Sequence, residues 1–231
     1  MNPMPLIPKT FTELWSTDRG LSVLVLLLAV TIFVLPHLAA AGAPLLTLLF
    51  DISFSLLLLA GLTAVTRTRG VIVAGTVLMI GTVAGRWLSR SIPGTDFLVF
   101  NLTMSMAASL ALAWMVTIQV FREGPITMHR VLGAVGVYLL LGLAWSFAYH
   151  LLDVVNPGAF SISGGSSEHV ISGSEFLYFS LVTLTTVGFG DITALHPAAR
   201  SVVMLEALTG QLFPAILIAR LVSMELVSRT R

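Results

Sequence analysis

Within Thr183-Leu184-Thr185-Thr186-Val187-Gly188-Phe189-Gly190-Asp191, hydroxyls, a carboxylate and two glycines at alternate positions fall close together. Glycine adopts left-handed backbone angles that a residue with a Cβ resists. A segment alternating left- and right-handed angles turns successive carbonyls the same way, and rings of such oxygens can replace the water shell of a cation. The chemistry on offer is therefore coordination by backbone. Side-chain catalysis has no counterpart: there is no Gly-x-Ser-x-Gly elbow and no phosphate loop. His37, His129, His150, His169 and His196 are scattered, with no pair at i, i+4 in a helix, and the absence of cysteine removes thiolate sites and disulfides. An enzyme is not expected, nor are catalytic residues or a cofactor.

The string Thr186-Val187-Gly188-Phe189-Gly190-Asp191 resembles the selectivity filter of tetrameric potassium channels, whose usual core is Thr-Val-Gly-Tyr-Gly-Asp. The resemblance implies that the carbonyls of Thr186, Val187, Gly188 and Phe189, with the Thr186 hydroxyl at the inner end, hold potassium as the transported ion. Gly190 completes the filter, and Thr185, Asp191, Tyr178 and Val182 support it. Val187 and Phe189 side chains would point away from the ion. Phe189 departs from the family, where a tyrosine hydroxyl braces the filter against the pore helix, and Tyr178 stands where the family often has tryptophan. Selectivity resides in the backbone and is expected to survive; the rigidity of the outer filter is what Phe189 puts in question. The resemblance is specific over Phe176 to Asp191 and reasonable over Val131 to Val222. Over the first 130 residues it rests on helix count.

A backbone site of this kind needs a membrane protein around it, because irregular chain at membrane depth survives only inside protein or along a water-filled path. Composition agrees. The 231 residues are 56% hydrophobic and 10% charged, against about 25% charged in soluble domains, and the mean hydropathy is +0.97. A net charge of +1 without a basic run gives no reason to expect a nucleic-acid partner. Six stretches are expected to span the bilayer: Leu21 to Ala40, Leu45 to Val65, Val71 to Trp87, Phe97 to Phe121, Val131 to Leu152 and Ala198 to Val222. The first also has a signal-segment reading, with Ala39-Ala40-Ala41 as a cleavage site, but it is long for that role and is read as a retained helix. With the N-terminus inside, Lys9, Arg19, Arg67, Arg69, Arg122, Arg130, Arg220, Arg229 and Arg231 are cytoplasmic and only Arg86, Arg90 and Arg200 lie outside. Both termini are then cytoplasmic, Asp191 lies at the outer face, and the expected location is the plasma or inner cell membrane, in contact with lipid.

Three regions follow. Residues 1–20 form a cytoplasmic segment in which Phe11, Leu14 and Trp15 share one helical face, suiting either a short interfacial helix or a loose tail. Residues 21–124 form a four-helix, sensor-like domain ending at the polar break Arg122-Glu123-Gly124-Pro125. Residues 125–231 form the pore domain: outer helix, outer loop, pore helix, filter and inner helix. The Ser- and Gly-rich Asp153 to Gly173 reads as a flexible loop. Glu175 to Leu184 covers only about 15 Å at helical rise, half a bilayer, so it re-enters rather than crosses. Ser174 is its candidate N-cap, with Glu175 in the first turn.

One chain supplies one filter strand, so a closed ring of carbonyls requires a homotetramer, each chain with three identical partners. The fold class is thus an all-α membrane protein with six transmembrane helices, a re-entrant pore helix and a filter. In the inner helix, Gly210 stands where related channels carry a hinge glycine, and Pro214 one turn on can kink the helix. The family register turns Gln211, Pro214 and Ile218 towards the cavity. Glu206, an acid inside a span, is rotated away from them towards the pore helix, where a structural brace is the favoured role over an ion or proton sensor. Phe97 to Phe121 has no Arg or Lys, so strong voltage sensing is not expected. Asp51 and Arg86 reach similar depths and suit a structural ion pair. The functional expectation is passive potassium conduction, weakly or not voltage-gated. The alternatives are a non-conducting subunit that modifies another channel and a less selective cation channel.

Overall fold

The computed structural model describes residues 22–34, 44–65, 69–91, 94–121, 127–164 and 170–229. Its elements in order are helices α1 (Ser22–Val34, ending in a π turn over Val30–Val34), α2 (Pro44–Val65), α3 (Arg69–Ser91), α4 (Thr95–Val120) and α5 (Met128–Val155). Strand β1 (Phe160–Ile162), helix α6 (Gly173–Leu184), strand β2 (Ile192–Ala194) and helix α7 (Pro197–Arg229) complete the chain. Among the described residues, Thr95–Val120, Met128–Val155 and Pro197–Ser223 are long and apolar enough to cross a membrane, and Ser22–Val34 is apolar but shorter. The expected segment 1–20, the Ala39-Ala40-Ala41 motif, the polar break at 122–125, His37 and His169 lie outside the described residues.

Polar residues within these apolar helices fold back on their own backbone. Thr31, Ser55, Thr82, Thr103, Ser109 and Thr117 each donate a hydroxyl to the carbonyl four residues earlier, at 2.7–2.8 Å. A hydroxyl satisfied in this way can sit in an apolar layer without an external partner.

One apolar core runs from helices α1, α2 and α4 into α5 and α6. Leu24, Leu28, Phe54, Leu57, Leu112 and Val116 pack with Val137, Leu140, Leu143 and Leu177. Phe54 of α2 meets Phe147 of α5 edge-on, with ring centroids 5.6 Å apart. Beside them Arg86 of α3 donates to Asp51 of α2 at 2.5 Å and lies 4.4 Å above the Phe54 ring.

The outer loop departs from the sequence expectation. Asp153 to Gly173 is not wholly loose: α5 continues to Val155, and β1 pairs antiparallel with β2 in the register Phe160↔Ala194, Ser161↔Thr193, Ile162↔Ile192. The aromatic and β-branched residues here bury Phe160 and Ile192 against Tyr149, Phe176 and Phe179, a packing that outweighs the local Ser and Gly content. The fold is mostly helical, with this small two-stranded sheet added.

Candidate functional site

Helix α6 begins two residues earlier than the sequence suggests. Its N-cap is Ser172 rather than Ser174: the Ser172 hydroxyl accepts from the Glu175 backbone N–H, and Glu175 accepts in return from the Ser172 N–H at 2.6 Å. The reason is spacing. A reciprocal box needs Ser three residues before Glu, and only Ser172 stands there. From this start α6 buries Phe176, Leu177, Phe179, Ser180, Thr183 and Leu184.

The far end of α6 is joined to the segment that follows. A helix leaves its last four carbonyls without intrahelical partners. Here Leu181 O accepts from the Thr185 N–H at 3.0 Å, Thr183 O from the Thr186 N–H at 2.9 Å, and Val182 O from the N–H groups of Val187 at 2.9 Å and Gly188 at 3.3 Å. Leu184 O accepts from the Tyr138 hydroxyl of α5 at 2.8 Å. Thr185 returns its own hydroxyl to Leu181 O at 2.7 Å. Val182 thus touches the segment through its carbonyl.

Beyond the helix, the backbone alternates. Thr186, Gly188 and Gly190 have φ of 59°, 56° and 78°, and no other non-glycine among the described residues has positive φ. For the β-branched Thr186 this region is unfavourable by about 1–2 kcal/mol, so surrounding contacts must hold it. One is the Thr183 bond; another comes from α7, where Gln211 Nε2 donates to Thr186 Oγ1 at 3.0 Å. Residues Thr185 to Gly190 are exposed on the single chain, Phe189 by 70%.

The outer end is clamped by the β1 side. The Ser163 N–H donates to Asp191 O at 2.7 Å, and its hydroxyl to Gly190 O at 3.3 Å. Phe189 has no hydroxyl to offer, and these two contacts hold the outer end by other routes.

On α7, Gly210 packs directly on the end of α6: a Cβ placed there would fall 1.8 Å from Leu184 O. Glu206 is fully buried. Its Oε1 accepts from Ser180 of α6 at 2.6 Å and its Oε2 from the Tyr149 hydroxyl of α5, while Ser180 also reaches Gly142 O at 2.7 Å. Pro214 is half-buried and Ile218 exposed, and α7 runs as one helix through both. Gln211 and Thr186 are therefore in contact, whereas Glu206 belongs to a separate cluster behind α6. Ser163, Tyr138, Tyr149 and Ser180 were not singled out from sequence. Only Ser172 carried a local signal, its spacing to Glu175.

Residues 134–226 match the family model described as "Ion channel". The chain is 28% identical over 119 residues to Protein LctB of Bacillus caldotenax, covering 51% of this chain and 87% of that one. It is 37% identical over 87 residues to Two pore potassium channel c of Oryza sativa subsp. japonica, covering 38% of this chain but only 18% of that relative. No solved structure matches significantly. The matched region runs from α5 through the alternating segment to α7, and over it the chain is similar to the ion channel family.

Proposed function

We propose that the chain is one subunit of a potassium-selective channel, with four copies arranged around the segment Thr186 to Gly190. The observation that carries this reading is the alternation of φ sign at Thr186, Gly188 and Gly190 on a segment bonded to the end of a short helix. Alternation turns the carbonyls of Thr186, Val187, Gly188 and Phe189 to one side, and fourfold repetition would close them into rings that substitute for the ion's water. Thr186 adds its hydroxyl at the inner end. Their N–H groups are already partly committed to α6, which leaves the oxygens as the groups offered to the ion.

In this reading six helices cross the cell membrane, both termini are cytoplasmic, and α5 to α7 form the pore beside a front half of four helices. Conduction is passive, and no cofactor or catalytic residue takes part. The fourth helix, Thr95–Val120, contains no Arg or Lys, so no charge is available there to move through the field. The rice relative is named a potassium channel, in keeping with the proposed ion.

The test is current through the purified protein in planar bilayers, with potassium on one side and sodium on the other. The expected result is a reversal potential near the potassium equilibrium value, with little voltage dependence. Reversal near zero would replace the reading with a less selective cation channel. No current, together with co-purification of a different filter-bearing chain, would replace it with a modifying subunit.

A further inference from the structure

The contact between Gln211 and Thr186 has a specific cause in the chain. Gly210 has no side chain, so α7 approaches until its backbone meets the Leu184 carbonyl, where any Cβ would collide. That approach carries the next residue, Gln211, to the Thr186 hydroxyl, which it reaches through Nε2 at 3.0 Å. Thr186 is also the residue with the least favourable backbone on the segment, φ 59° on a β-branched side chain. Its hydroxyl has two lone pairs and one proton. Accepting from Gln211 occupies one lone pair, fixes the side-chain rotamer and leaves the second lone pair for a cation.

We infer that Gln211 is a specificity-determining positioning residue: through its amide it holds the Thr186 hydroxyl as a preorganised ligand for a cation at the inner end of the proposed filter. This deepens the potassium-channel reading and rests on it. A ligand whose rotamer is locked before the ion arrives loses less freedom on binding. Four copies around an axis would repeat the bond four times at one ring. The same bond ties the position of α7 to the innermost ligands, so a displacement of α7 at Gly210 would release them.

The experiment uses the full chain in planar bilayers and reads block by Ba2+ from the inner side, a divalent ion close to potassium in size. Gln211→Met keeps the side-chain length and removes the donor. The half-blocking concentration is expected to rise at least about five- to tenfold, the equivalent of one neutral hydrogen bond, because the substitution removes the bond from all four copies. In a Thr186→Ala background, or Thr186→Cys if the alanine variant carries no current, Gln211→Met is expected to add no further change. An equal loss in both backgrounds would overturn the inference, since Gln211 would then act on the ion without Thr186; so would unchanged block. If Gln211→Met forms no channel, Gln211→Asn, one methylene too short to hold the hydroxyl, is expected to show the same rise, and unchanged block there overturns it equally. Wild-type protein that conducts without selecting potassium refutes the potassium-selective reading itself and is recognised before any variant is compared.

Discussion

Gly210 of α7 and Leu184 at the end of α6 meet backbone to backbone: a Cβ on Gly210 would lie 1.8 Å from Leu184 O and 2.7 Å from its carbonyl carbon. The same oxygen accepts from Tyr138, so it cannot simply turn aside. This gives the glycine a packing role, and α7 is a continuous helix through it. The hinge and packing roles predict opposite signs for Gly210→Ala. A glycine needed only for flexibility, when replaced, gains about 1 kcal/mol of helix propensity. A glycine needed for approach loses about 1–3 kcal/mol to overpacking, or more if the helix must shift as a whole. The expected result is a fall in thermal stability of the purified assembly in detergent, with loss of current. A rise in stability with altered gating would favour the hinge.

Glu206 invites a second measurement. It is fully buried, and its two oxygens accept from hydroxyls on two other helices, Ser180 of α6 and Tyr149 of α5. Replacing it with Leu leaves Ser180 the Gly142 carbonyl as partner, but deprives Tyr149, itself fully buried, of its acceptor. An abandoned buried donor costs about 1–3 kcal/mol. Removing both partners is cheaper than removing one, so Tyr149→Phe should relieve much of the loss in Glu206→Leu. Thermal unfolding of the wild type, both single variants and the double variant measures this coupling. Additive losses would mean that Glu206 acts elsewhere, as an ion or proton sensor would.

The part of the site legible in sequence is local in the chain. Gly188 and Gly190 announce positive φ because glycine alone adopts it without strain, and Glu175 to Leu184 announces a short helix by its length and apolar content. Three of the six expected spans, Phe97 to Phe121, Val131 to Leu152 and Ala198 to Val222, were legible to within three residues of the membrane-length helices Thr95–Val120, Met128–Val155 and Pro197–Ser223, because apolar runs of this length have few other uses. Thr186 was not legible as left-handed. Nothing in a β-branched residue signals that region, and bonds to Thr183 and Gln211, the latter 25 residues away, hold it there. The Ser163 clamp on Gly190 and Asp191 was hidden for the same reason. Its loop is rich in Ser and Gly, and the pairing of β1 with β2 that positions it is a contact between residues some thirty apart in the chain. Tertiary bonds of this kind leave no local pattern.

The front half carries a prediction of its own. Arg86 of α3 is buried to 7% exposure, bonded to Asp51 at 2.5 Å and to Ser105 at 3.4 Å, and lies 4.4 Å from the Phe54 ring centre and 5.9 Å from that of Phe147. Phe147 belongs to α5, so this cation contacts both α2 and α5. Such a pair adds little relative to an apolar replacement of both members, yet breaking it from one side strands a buried charge at about 3–5 kcal/mol. Arg86→Leu should therefore destabilise by that order. Adding Asp51→Leu should recover much of it, because no unpaired charge then remains. Thermal unfolding of the three variants measures this, and current–voltage curves separate it from a sensing role. If Arg86 moved through the field, its neutralisation would reduce the steepness of voltage dependence while the fold stayed intact. The expected outcome is the reverse: a stability loss with the weak voltage dependence unchanged.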